Sequence, residues 1–138
     1  MFEDADLIHR YTRAQALEDG VLVDVSETAK DAGFRVPVAV TQTAWADCVH
    51  WIEEDSARIV HQDESGRLWD VLWMAYVAAR VNQNKSELLY RLTLTRTEGR
   101  ETVKGYRNVL VRDLVLKLHI GPGDDGEMVF TIMLPQES

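Results

Sequence analysis

One cysteine, three prolines and no uninterrupted apolar run of membrane-spanning length set the first limits on this 138-residue chain. With Cys48 alone, no intrachain disulfide can form. The opening residues MFEDADLIHR lack the basic start and apolar stretch of a secretory signal, so the expected compartment is a reducing cytoplasm. The most apolar segment, Arg67 to Val81, has a core of roughly 14 residues against the roughly 20 that span a bilayer, and it contains Asp70, so no membrane association is expected.

Cations are also scarce. Fifteen Lys and Arg face 23 Asp and Glu, for a net charge of −8, and residues 1–66 carry fourteen acids against five bases. Contacts to phosphate backbones need clustered cations, so direct nucleic-acid binding is not expected. The one basic stretch, residues 83–116, holds seven bases against four acids, several of them in the polar loop Arg96 to Asn108.

Catalytic signatures are missing as well. There is no G-x-S-x-G, H-E-x-x-H or Walker loop, and His9, His50, His61 and His119 show no zinc-ligand spacing with one another or with Cys48. Gly121, Gly123 and Gly126 match G-x-G-x-x-G formally. A strand pattern follows them where a dinucleotide site needs a helix, Asp124 and Asp125 would repel a pyrophosphate, and only 12 residues remain for the ribose-binding acid. Asp124, Asp125 and Glu127 also lack the alternating spacing of an EF-hand loop; Gly and Asp there are turn formers. No cofactor, metal or catalytic residue is assigned.

What the chain does contain is hydrophobic patterning. In Arg67 to Val81 only Arg67, Asp70 and Arg80 are charged, and Trp69, Leu72, Trp73, Tyr76 and Ala79 are distributed around most of a helical cylinder. That distribution predicts a central helix buried on more than one side, with Trp73 in the core. Before it, Thr12 and Gln15 have the spacing of a capping box for a helix over about 13–19, with Gly20 as its stop. Alternation at Val21, Val23 and Val25 predicts a strand, Ser26 a capped helix ending at Gly33, and Val36, Val38 and Val40 a second strand that Pro37 should confine to an edge or make irregular. Thr43 is placed to cap a helix whose stripe is Trp45, Cys48, Val49 and Ile52.

After the central helix the period becomes two. Leu88, Tyr90, Leu92 and Leu94, then Leu114, Leu116, Leu118 and Ile120, then Met128, Phe130, Ile132 and Leu134 each line one face. The fold expected is α+β: a single domain over 1–138, with a three-stranded antiparallel C-terminal meander packed on a buried central helix, and short N-terminal helices and strands. The odd face of the last hairpin, with Val115, Val129 and Met133 beside Lys117, His119 and Thr131, needs either a partner or a covering element.

Trp51 falls off the 45/48/49/52 stripe, which predicts partial exposure beside Glu53, Glu54 and Asp55. An aromatic anchor within dense negative charge makes Trp51, Glu53, Glu54 and Asp55 the candidate partner-binding residues, suited to a basic protein surface.

Three stretches carry a resemblance: Tyr11 to Val25 (YTRAQALEDGVLVDV), Gly66 to Met74 (GRLWDVLWM) and Gly121 to Pro135. Together they resemble a family of small uncharacterised proteins, a domain of unknown function, encoded on bacterial plasmids, prophages and other mobile elements. The resemblance spans most of the chain and implies a genomic setting in which small accessory genes serve transfer or counter host defence. The resulting expectation is a non-enzymatic acidic accessory protein of a mobile genetic element that binds a host protein, for instance an anti-CRISPR or antirestriction factor. The alternatives are a small transferase or hydrolase, remotely ADP-ribosyltransferase-like, in which His9, a tyrosine and Glu127 would converge, and a structural or regulatory homodimer.

Overall fold

The computed structural model describes residues 11–51, 63–95 and 111–138. Their order is α1 (Arg13–Glu18), β1 (Leu22–Asp24), α2 (Ser26–Ala32), β2 (Val38–Thr41), α3 (Gln42–Cys48), α4 (Glu64–Val81), β3 (Glu87–Thr95), β4 (Val111–Pro122) and β5 (Met128–Met133). The strands form one sheet in the order β1-β2-β5-β4-β3, antiparallel throughout except for the parallel β2–β5 pair. This is a mixed α+β fold.

The C-terminal meander has the expected register. Leu88 faces Leu118, Tyr90 faces Leu116, and Leu118 in turn faces Ile132, so residues of even number share one face across three strands. Those side chains are buried with Val38 and Val40 of β2, and α2, α3 and α4 contribute the other half of this core through Ala29, Cys48, Leu68, Val71, Leu72 and Ala75. Burying each such Leu or Val contributes roughly 1.5–3 kcal/mol, which makes this interface the main source of stability.

The sheet extends beyond the meander because β2 is not an edge strand. It lies between β1 and β5 with Val38, Ala39 and Val40 all buried. Pro37 is tolerated because it immediately precedes the strand, where its missing N–H costs no ladder bond while its carbonyl accepts from Phe130 N–H at 3.0 Å. Ser26 likewise departs from its expected capping role. Its hydroxyl accepts from Val38 N–H at 3.0 Å and donates to Asp24 at 2.6 Å, tying the start of α2 to β2.

The opposite face of the sheet also has a cover. Ala39, Lys117, Val129, Thr131 and Met133 are all buried there. Arg13 of α1 donates to the Thr131 hydroxyl at 2.7 Å and to the Phe130 carbonyl at 3.0 Å. The C-terminal turn closes the neighbouring region: the Glu137 carboxylate accepts from Thr41 hydroxyl and Leu134 N–H, and its carbonyl accepts from the Lys117 ammonium. The odd face is thus largely occupied from within, by a helix and a turn from opposite ends of the chain.

α1 forms as expected and has an additional cap. Thr12 Oγ1 accepts from Gln15 N–H and Gln15 Oε1 from Thr12 N–H, a complete capping box. Asp124, from the turn between β4 and β5, accepts from the N–H groups of Arg13 and Ala14 at 2.8 and 2.9 Å. The Gly- and Asp-rich turn therefore fastens the first helix to the sheet.

Candidate interaction surface

α4 is the element that departs most from its expected environment. It begins at Glu64, earlier than the patterning suggested, with Asp63 as N-cap accepting from Gly66 N–H at 2.7 Å. Only one of its faces is buried, that of Arg67, Leu68, Val71, Leu72 and Ala75. The outer face carries Trp69, Trp73, Met74 and Val77, with Trp69 38% and Trp73 44% exposed. Trp73 is therefore not a core residue. The sheet and α2 both pack against α4 and together leave its Trp69–Trp73–Val77 side uncovered, so this second apolar stripe, at spacing i, i+4, i+8, faces outward.

These exposed rings are ordered against one another. Trp69 and Trp73 lie nearly parallel, 8° apart with centroids at 6.2 Å, and Trp73 stacks on Tyr76 at 5.8 Å. Tyr76 meets Phe34 edge-on at 5.5 Å, and Phe34 meets Phe130 of β5 at 5.4 Å, so the surface ridge is continuous with the core. Each such aromatic pair contributes about 0.5–1.5 kcal/mol beyond area burial. Beside Trp73 and Met74 an open groove of about 440 Å³ is lined also by Asp70, Arg91, Leu92, Thr93 and Asp113. Thr93 donates to Asp113 at 2.8 Å, fixing that carboxylate at the groove's edge.

Trp51, expected to be partly exposed, is buried. α3 ends at Cys48, so helical phase no longer governs position 51. The indole ring lies under the Arg67 guanidinium, 4.9 Å from ring centroid to Cζ. Trp51 is thus packed into the structure rather than partly exposed. Glu53, Glu54 and Asp55 lie outside the described residues, as does the basic stretch 96–110.

The residues singled out for chemistry have local duties. Cys48 is buried within the core, and His50 Nδ1 is 3.2 Å from Glu64. Glu127 folds back to accept from Asp125 N–H within its own turn, while the Tyr11 hydroxyl donates to Asp19 at 2.8 Å, an interaction that holds its phenol proton and raises its pKa. His9 lies outside the described residues, and among those described no group of three His, Cys, Asp or Glu side chains could hold a metal ion. No helix among them is long and apolar enough to cross a membrane.

Sheet, covering helices and exposed ridge define an α+β protein whose most distinctive surface is a line of stacked indoles. The chain belongs to the Family of unknown function (DUF6573), whose model it matches over residues 1–138. No curated protein and no solved structure matches it.

Proposed function

We propose that this chain is a non-enzymatic, acidic accessory protein of a mobile genetic element that binds a host protein through the outer face of α4, acting against a host defence system from the cytoplasm. The observation that carries the binding reading is the exposed, mutually stacked pair Trp69 and Trp73 with Met74 and Val77 beside it. Indole rings held in place before contact lose little conformational freedom on binding, and Trp is enriched among residues that dominate interface energetics. Asp70 and Asp113 flank the ridge and the chain carries −8 overall, so the complementary surface has apolar pockets rimmed by Lys and Arg. The mobile-element setting and the defence target rest on the resemblance described from the sequence.

The test compares wild type with Trp69→Ala/Trp73→Ala and with Glu53→Lys/Glu54→Lys/Asp55→Lys in affinity capture from host lysate, followed by binding measurements on the purified partner. One protein captured by wild type and lost by a folded ridge variant, with salt-dependent association slowed by the acidic triple variant, supports the proposal. Capture that survives removal of both indoles overturns the ridge, and no enriched host protein overturns the proposal as a whole. A self-association in light scattering that the ridge variant abolishes assigns the surface to a second copy of the chain instead.

A further inference from the structure

A cleft of about 720 Å³ lies on the flank of α4 away from the Asp70 groove and is lined by Ser26, Lys30, Gly33, Phe34, Arg35, Val36, Pro37 and Tyr76. Its charge is opposite to that of the chain. Lys30 and Arg35 both line it, and Arg80 stands at its border, donating to the Tyr76 hydroxyl at 2.9 Å with its guanidinium 5.7 Å from the ring centre. No carboxylate is among its described lining residues, though the Asp24 carboxylate stands at its border, accepting from the lining Ser26 hydroxyl at 2.6 Å.

Four other described cations are differently placed. Arg13 is bonded to Thr131 and Phe130, Arg67 lies buried on Trp51, Lys117 holds the C-terminal turn, and Arg91 shares its groove with Asp70 and Asp113. The Lys30 and Arg35 side chains, by contrast, make no hydrogen bond or ion pair with any described residue. In a chain of net charge −8, two uncommitted cations with a third at the rim form a local positive site.

The wall of this cleft is built to a tight tolerance. Gly33 has φ of 122°, and a Cβ there would lie 2.6 Å from Tyr76 Cζ. Only glycine both adopts that backbone and lets the phenol lie against it. Phe34 braces the same ring edge-on, so the hydroxyl of Tyr76 is held at the cleft with Arg80 attached.

From these features we infer that the Lys30–Arg35–Tyr76 cleft binds a phosphate-bearing small molecule of about nucleotide size. The cations and the phenol hydroxyl provide charge-assisted donors for the phosphate oxygens, and half-buried Val36 and exposed Pro37 provide apolar surface for the body of the ligand. Its volume falls in the range of roughly 300–1,000 Å³ usual for small-molecule sites. This inference is independent of the partner-binding proposal, because it uses neither Trp69 nor Trp73.

The test is isothermal titration calorimetry of the full chain with pyrophosphate, ATP, adenosine and a polyglutamate peptide. Binding of pyrophosphate and ATP but not adenosine is expected, weakened at least about tenfold by Lys30→Glu/Arg35→Glu, the scale of one charge-assisted hydrogen bond. Equal affinity for the two anions makes phosphate itself the determinant, and tighter ATP binding adds the organic body. Lys85→Glu, at an exposed lysine outside the cleft, should leave the affinity unchanged. Lys30→Gln/Arg35→Gln supplies the same comparison should charge reversal disturb folding. Absence of phosphate binding, equal weakening by Lys85→Glu, or binding of polyglutamate alone overturns the inference, the last in favour of an acidic peptide.

Discussion

The guanidinium of Arg67 lies over the Trp51 indole at 4.9 Å, with both side chains buried, and this contact joins the residues following α3 to the first full turn of α4. A guanidinium is weakly hydrated and planar, so it tolerates burial on an aromatic face better than an ammonium does. The charge that seemed to interrupt an apolar helix is therefore part of its buried face.

Removing this contact should be costly. Trp51→Ala is expected to lower stability by about 3 kcal/mol, the scale of a buried aromatic truncation. A double-mutant cycle with Arg67→Met should return a coupling of about 0.5–2 kcal/mol in denaturant titrations. Additivity of the two substitutions would show that the rings and guanidinium pack independently.

Neighbouring positions in α4 should behave oppositely. Leu72 is fully buried and Leu72→Ala is expected to cost about 3 kcal/mol, whereas half-exposed Trp73→Ala, which loses the two ring contacts to Trp69 and Tyr76, should cost less, about 1–2 kcal/mol. Chemical denaturation of the two variants decides this directly. A larger loss at position 73 than at position 72 would place the buried face of the helix on the other side.

Tyr90 supplies a pH dependence. Burial raises the pKa of its phenol well above the usual 10.0, with the nearby Cys48 thiol adding to the effect, and its hydroxyl donates to the Val71 carbonyl at 3.2 Å. The unfolded chain releases this proton near the ordinary value, while the folded chain retains it. Above that value the unfolded state binds fewer protons, so stability is full below about pH 10 and falls as pH rises toward the folded-state pKa. Tyr90→Phe should cost about 1 kcal/mol at neutral pH through the lost hydrogen bond, yet flatten the alkaline decline. Urea midpoints from pH 8 to 11 measure both effects, and an unchanged alkaline slope would assign the decline to other groups.

Asp124 tests the link between the last turn and the first helix. Asp124→Ala leaves the Thr12 and Gln15 capping box intact but removes the acceptor for Arg13 and Ala14 N–H. A loss of about 1 kcal/mol is expected, with faster amide exchange confined to α1 and its contacts. Unchanged exchange at Arg13 and Ala14 would show the two N–H groups protected by other means.

Much of the fold was legible because it depends on local period and capping chemistry. Alternation placed β3, β4 and β5 in register, Thr12 and Gln15 marked the start of α1, and Gly33 marked the end of α2. These features follow from backbone geometry within a few residues of one another.

Tertiary structure decided which apolar stripe of α4 is covered. Leu68 and Leu72 do not differ from Trp69 and Trp73 in any way that period reveals, since both pairs recur at i and i+4; the placement of the sheet and α2 against the helix separates core from ridge. The same holds for Trp51, whose off-stripe position lost its meaning when α3 ended at Cys48 and the chain turned inward onto Arg67. No local pattern sets Lys30 and Arg35 apart, and Tyr76, more than 40 residues on, forms the opposite wall of their cleft. Sequence alone determined the elements and their amphipathic character, because those arise from neighbours along the chain. Which faces remain open, and so where this protein can bind anything, was decided by contacts between distant segments, which local patterning does not encode.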